Sequence, residues 1–216
     1  MVVTIRRSQK RRTIALRVTR DGVTLHAPYG IAEEELLRWA RSKQDWIEKT
    51  RRHFAARTPP SYTFTDGERL PYLDETLTLR LTSRRDAQRV GPVLEAPCEG
   101  TKDAVRAWYE RETIAFFTPL AHEMAARLGV TVRAIKLTHA KTRWGSCTAS
   151  GVLRFNPRIL LGTSRLAVYL CAHEVAHLRE LNHSPRFWRH VAALMPSYVG
   201  AREQLKGEGW RLTFDA

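Results

Sequence analysis

Only three cysteines occur in 216 residues, at 98, 147 and 171. They form no close pair and no Cys-x-x-Cys spacing, and their odd number argues against a disulfide framework. Reduced thiols in a cytoplasmic protein are expected. No apolar run approaches the ~18 residues needed to span a bilayer, so no membrane partner is expected. The opening residues, Met1-Val2-Val3-Thr4-Ile5-Arg6-Arg7, lead into more charge rather than into an apolar signal core. Acidic residues are scarce beside basic ones, 22 against 36, which leaves a net charge of +14. Arginine dominates the basic set, as suits bidentate contact with phosphate or carboxylate. Such a field favours anionic substrates or nucleic acid. The same composition also describes a basic but merely solvated surface.

Internal repeats and low-complexity tracts are absent too. What is present reads as α+β. Residues 13–18 alternate apolar and polar, and with 23–27 they form two runs joined at Asp21-Gly22, a hairpin signature. Leu36, Trp39, Ala40, Trp46 and Ile47 predict one helix over about 31–57, stopped by Thr58-Pro59-Pro60. Short strands are expected at 62–65 and 76–81. Two prolines and two glycines in 91–100 suggest a boundary there. The expected organisation is therefore an N-terminal region, 1–100, and a hydrolase domain, 101–216. Within the second, helical spacing of Val105, Trp108, Tyr109, Ile114, Phe117 and Leu120 predicts a helix over 103–128, ended by Gly129. A strand through 135–139 follows. Trp144-Gly145-Ser146-Cys147 and Ala149-Ser150-Gly151 read as turns, and 152–155 as a strand.

Ser164 is a plausible cap for a helix running to about Leu181. Residues 166–172 are apolar on every side, the mark of a buried helix. His173, Glu174 and His177 are set into it. Burying three such groups without partners costs several kcal/mol. At ~100° per residue, positions 173 and 177 differ by ~40° in direction and one turn in height. Their imidazoles can meet at one metal, with Glu174 beside a water on it. The bland alternative is a pair of core histidines in a hydrogen-bond network.

A catalytic zinc takes three protein ligands and a water. His183 would point away on a continuing helix, so the helix must stop first. Asn182 is a good left-handed terminator, and Ser184-Pro185 starts a new helix. His183 is therefore the expected third ligand, with Glu180 and His190 as alternatives. The short strand and Gly-containing turn of 144–156 could form a cleft rim on which a peptide adds as a strand.

Trp144-Gly145-Ser146-Cys147, Asn156, His173-Glu174-Val175-Ala176-His177-Leu178 and Asn182-His183-Ser184-Pro185-Arg186-Phe187-Trp188 resemble the YgjP-like metallopeptidase family, a relative of the SprT-type proteases among the zincins. Residues 6–14, Ala27-Pro28 and Trp46-Ile47 extend the likeness over nearly the whole chain. The resemblance implies a zincin-like catalytic half beside an N-terminal hairpin and helix half. It implies one zinc ion per chain on His173, His177 and His183, with Glu174 as catalytic acid and base. The offsets equal those of metzincins, but Glu180 stands where those have glycine, and Met195-Pro196 reads as a helix end.

The chemistry expected is metal-assisted hydrolysis, with Glu174 moving the water's proton. Candidates to contact substrate or the developing oxyanion are Arg143, Trp144 and Tyr198, with His139 also in view. Three functions compete. One is a peptidase acting on peptides or proteins. The second is a zinc hydrolase of a phosphoanhydride, such as a nucleotide, on the same site. The third is a non-catalytic zinc-stabilised module that binds nucleic acid through Arg6, Arg7, Lys10, Arg11 and Arg12.

Overall fold

The structure is a computed structural model and describes residues 3–19, 22–55 and 57–214, without the side chains of His53 and Phe54. Asp21 of the expected turn and Ala56 near the expected helix end lie outside the described residues. The chain is α+β and divides into two compact units, 1–58 and 59–216.

In the first unit, β2 (Ala15–Val18) pairs antiparallel with β3 (Val23–Ala27), as the hairpin pattern predicts. A third strand, β1 (Val3–Arg7), runs parallel to β3, giving the order β1-β3-β2. Val3 and Ile5 alternate with the exposed Thr4 and Arg6 along it, a period of two that turns both apolar residues inward. The single helix expected over 31–57 is two: α1 (Glu33–Arg41) and α2 (Gln44–Ala55). A straight helix of that length would run ~40 Å, against ~17 Å for a five-residue strand. The break lets Leu36 and Ala40 pack on Leu25 and Ala27 while Ile47 packs on Val18 and Val23. The Ser42 hydroxyl marks it by donating to the Trp39 carbonyl at 2.7 Å.

The second unit opens with a four-stranded sheet, β4 (Arg69–Tyr72), β5 (Glu75–Thr82), β6 (Gln88–Val90) and β7 (Val93–Pro97), in the order β4-β5-β7-β6. No strand forms at 62–65. The Glu68 carboxylate accepts from the amides of Thr63, Phe64 and Thr65 and curls that segment around itself. The expected boundary near residue 100 is also displaced. Leu70, Leu77, Leu79, Leu94 and Ala96 share one core with Val105, Trp108 and Tyr109 of α3 (Thr101–Leu128), so the sheet belongs to the unit that carries the histidines. Gly91, Pro92 and Gly100 stand at exposed turns between elements of that unit rather than in a linker.

Helix α3 runs 28 residues through Pro119 and ends at Gly129, left-handed at φ 62°, as its sequence predicts. A three-stranded sheet follows in the order β8-β10-β9: β8 (Ala134–Leu137), β9 (Gly145–Cys147) and β10 (Val152–Phe155). The Trp144–Cys147 segment read as a turn is thus largely a strand, antiparallel to β10 with Gly145 opposite Phe155. Phe155 stacks on Phe117 of α3 at 3.9 Å. Three helices close the unit: α4 (Ser164–Ala176), α5 (Pro185–Leu194) and α6 (Tyr198–Glu208). Among the described residues no helix is long and apolar enough to cross a membrane.

Candidate metal centre

Helix α4 is buried nearly all round, as an apolar helix must be, and it carries His173 and Glu174 in its last turn. It ends at Ala176, five residues sooner than its pattern suggests. The amides of Leu178 and Arg179 turn back to the carbonyls of Val175 and Ala176, a tight turn of the kind that often finishes a helix. Asn182 is not left-handed here. Its side-chain oxygen instead accepts from the amide of Ser184 at 2.9 Å, a local turn that reverses the chain. Ser184 then caps α5 by accepting from the amide of Phe187, with Pro185 in the first turn.

This stop and restart brings His183 back. Ring nitrogens of His173, His177 and His183 all lie within 4.8 Å of one another. The Nε2 atoms of His173 and His183 stand 3.1 Å apart. Three ligands at ~2.0–2.1 Å in a tetrahedron would be about 3.3 Å apart, so the triad needs little closing to grip one ion. Nδ1 of His177 lies 3.0 Å from the carbonyl oxygen of Glu180. Donation there leaves Nε2 of His177 with its lone pair for a metal. Glu180 thus contributes its backbone, and His190 is not part of the cluster.

Phe187 is the floor of the site. Its fully buried ring lies 4.9, 4.4 and 4.7 Å from the rings of His173, His177 and His183. Burial, with the neighbouring His177, His183 and Arg202 charges, pushes the His173 pKa down to about 3. Burial also lowers that of His177. Both imidazoles are held neutral, the form that binds a metal. Glu174 is 4% exposed, and burial pushes its pKa up to about 8. Its Oε2 has no hydrogen-bond partner, nor has the buried Nδ1 of His173. A buried carboxyl oxygen without a partner and three convergent imidazoles are what a divalent cation with a bound water would satisfy.

The carboxyl of Glu174 is walled by β9. A Cβ built on Gly145 would meet its Oε1 at 2.6 Å. Gly145 is held by Asn156, 1% exposed, whose amide donates to the carbonyls of Ala140 and Arg143 while its oxygen accepts from Arg158. The Asn156 backbone amide also donates to the carbonyl of Trp144 at 2.8 Å.

A cleft of about 220 Å³ is lined by Arg143, Trp144, Gly145, Tyr169, Leu170, His173, Glu174 and Leu205. Of the residues expected to contact substrate, Arg143 and Trp144 line this cleft. Trp144 packs against Gly209 under the Arg158 guanidinium, 4.8 Å from its ring. Tyr198 is not in the cleft lining; it stacks on Trp188 at 5.5 Å. His139 lies apart from it, 2.7 Å from Glu110 in a separate cavity with Arg106 and Lys141. Tyr169 belongs to the apolar run of α4. It is 6% exposed, its ring lies 5.9 Å from that of His173, and its hydroxyl makes no hydrogen bond among the described residues. Standing four residues before His173, it falls on the same helix face, and that spacing was the signal for it.

A fold of this kind with a buried Glu between convergent histidines defines a candidate metal-dependent hydrolase. The sequence model of the YgjP-like family, metallopeptidase domain, matches residues 12–208, and the chain belongs to that family. No curated protein gives a significant match. Among solved structures, the crystal structure of the metallopeptidase zymogen of Pyrococcus abyssi abylysin is similar at 22% identity and a TM-score of 0.38, covering 42% of this chain and 93% of that one.

Proposed function

We propose that the chain is a zinc peptidase of the cytoplasm, with one ion per chain on His173, His177 and His183 and with Glu174 as its proton carrier. When bound, zinc would polarise the scissile carbonyl and lower the pKa of its water towards ~7. A cation nearby also favours the charged carboxylate, which draws Glu174 back down towards the range of a general base. Glu174 then takes a proton from the attacking water and hands it to the leaving nitrogen. Gly145 leaves its carboxyl room to swing between those two positions. The Tyr169 hydroxyl, without a partner and in the same cleft, is placed to donate to the developing oxyanion. Arg143 and Trp144 line the entrance for substrate.

The observation that carries the peptide reading is that β9 is the outermost strand of its sheet among the described residues. Residues 143–145 line the cleft beside Glu174, while 148–151 line a groove of about 600 Å³ that reaches His177. Between them β9 ends its sheet with an edge to which an extended chain can add. Arg143 in the cleft wall favours the second reading, hydrolysis of a nucleotide phosphoanhydride. Casein-derived peptides and nucleoside triphosphates, offered at matched zinc content, separate the two. Peptide cleavage that disappears in Glu174→Gln supports the proposal. Cleavage of triphosphates alone assigns the second reading. Equal rates with wild type and Glu174→Gln would remove the catalytic assignment altogether.

A further inference from the structure

The first unit holds 14 basic against 6 acidic residues, a net of +8 out of the chain's +14 in little more than a quarter of its length. That charge is segregated. Residues 3–27, which include all three strands, hold seven basic residues and a single acidic one, Asp21. The other acidic residues, Glu33, Glu34, Glu35, Asp45 and Glu48, all stand on α1 and α2.

The strand register sorts the basic residues by face. Leu25 and Ala27 of β3 pack inward on Leu36 and Ala40 of α1. On the opposite face, Arg6 lies beside His26, and Arg17 and Thr4 flank Thr24 on its two sides. Arg6 and Arg17 are exposed and belong to the two outer strands, about 10 Å apart at ~4.8 Å per strand. The remaining positions of that face, Thr4, Ala15 and Thr24, are small. Lys10, Arg11 and Arg12 follow β1 after Ser8 and Gln9.

Arg7 departs from this set. Its guanidinium donates to the carbonyls of Pro28, Tyr29 and Ile31 and is structural. The side chains of Arg6, Lys10, Arg11, Arg12 and Arg17 make no hydrogen bond or ion pair among the described residues. Like charges gathered on one side of a small sheet repel each other. Among the described residues, no acidic side chain pairs with these five.

We propose that this sheet face binds the phosphate backbone of nucleic acid, independently of the metal centre. The chemistry separates that partner from other polyanions. A protein interface is anchored by a desolvated apolar or aromatic centre, and this face has none: the exposed aromatics of the unit, Tyr29 and Trp46, lie outside the strands. Insertion into a membrane surface asks for apolar side chains on the same face. Phosphate contact asks only for cations on a surface without obstruction. The face has no Phe, Tyr or Trp to stack on a base, only the half-buried imidazole of His26, so little sequence preference is expected.

The test uses the full chain and a labelled 20-base-pair DNA duplex of random sequence, titrated at several salt concentrations. Arg6→Glu/Arg17→Glu is compared with Lys43→Glu/Lys49→Glu, which makes the same change in net charge on exposed sites away from the strands. The sheet pair should weaken binding at least about tenfold and flatten the slope of log affinity against log salt by about two, since each phosphate contact contributes ~0.9. The other pair should change affinity less than about threefold. Arg6→Lys/Arg17→Lys should bind nearly as wild type, and thermal melts confirm that each variant folds. Equal losses in both Glu pairs would reduce the effect to net charge and overturn the proposal. So would phosphatidylserine vesicles or polyglutamate that bind through Arg6 and Arg17 while the duplex does not.

Discussion

Gly145 and Glu174 touch where neither could be replaced by a larger group. A Cβ at 145 would lie 2.6 Å from Oε1 of Glu174 and 2.8 Å from its Cγ and Cδ. The backbone there is not left-handed, so alanine carries no conformational strain, and its whole effect is the displacement of one carboxyl. Gly145→Ala should therefore retain zinc and fold but lose turnover, by about a hundredfold for a shift of 1 Å. Metal analysis beside peptide-cleavage rates checks it. Full activity would mean that Glu174 does not need its present place.

The metal ligands separate by loss of metal. His183→Ala should bind zinc at least about tenfold more weakly, as His173→Ala and His177→Ala should. His190→Ala and Glu180→Gln should keep wild-type content, because the first lies outside the cluster and the second acts through its backbone carbonyl. Competition with a chelating dye measures all five. Normal affinity in His183→Ala would return the third ligand to the other two candidates.

The metal-free protein should show the burial of Glu174 in its pH dependence. Its carboxyl is raised from 4.5 to about 8, so the folded state holds a proton that the unfolded state releases across that interval. This group's contribution is complete below pH 4.5 and is lost as pH rises through 8. Glutamine is neutral throughout. In chelator, Glu174→Gln should match wild type near pH 4.5 and exceed it at pH 8 by up to about 5 kcal/mol, at 1.36 kcal/mol per unit. His173 works the other way, with stability lost below pH 6.5 down to about 3, and is common to both proteins. Urea unfolding at the two pH values decides. A difference independent of pH would mean that Glu174 is not desolvated.

Asn156 is a support for the rim. All four of its side-chain hydrogen bonds run to Ala140, Arg143 and Arg158 from a position 1% exposed. Asn156→Ala leaves the Arg143 carbonyl short of a donor, while that of Ala140 keeps the Arg158 guanidinium, and should cost about 1–3 kcal/mol. Turnover should fall as well, since the segment it ties leads into Gly145. Denaturant melts and rates on the same samples test both halves.

Tyr169 and Tyr198 give a paired test of the oxyanion donor. Tyr169→Phe removes a hydroxyl that makes no hydrogen bond in the structure, so zinc content and melting temperature should hold. Its kcat should fall about 10–100-fold with KM nearly unchanged, because the lost contact exists only in the transition state. Tyr198→Phe, stacked on Trp188 outside the cleft lining, should leave kcat within about threefold. The reverse pattern would transfer the role to Tyr198.

Much of the site is legible in the residues alone because helical geometry is local. The spacing of His173 and His177 sets their common direction whatever surrounds them. Ser184-Pro185 announces the restart, and the cap forms where it was expected. The means of the stop was less legible: Asn182 looked like a left-handed terminator and instead makes a side-chain turn. Both use the same short amide, and the choice between them depends on where the following chain must go.

What needed tertiary structure depends on residues distant in the chain. The break at Ser42 follows from a sheet shorter than the helix meant to cover it. The boundary at 58–59 follows from Leu79 and Leu94 sharing a core with Trp108, which no composition shift reports. Trp144-Gly145 read as a turn because glycine favours turns, yet that glycine is where β9 passes the carboxyl of a helix some thirty residues later. Hydrophobic period and capping determined that this chain would build a helix with two histidines on one side and a third returned to it. Packing alone decided that Phe187 would lie beneath all three and that Gly145 would lie against Glu174. Close approach of that kind is a property of surfaces meeting, and no single segment encodes it.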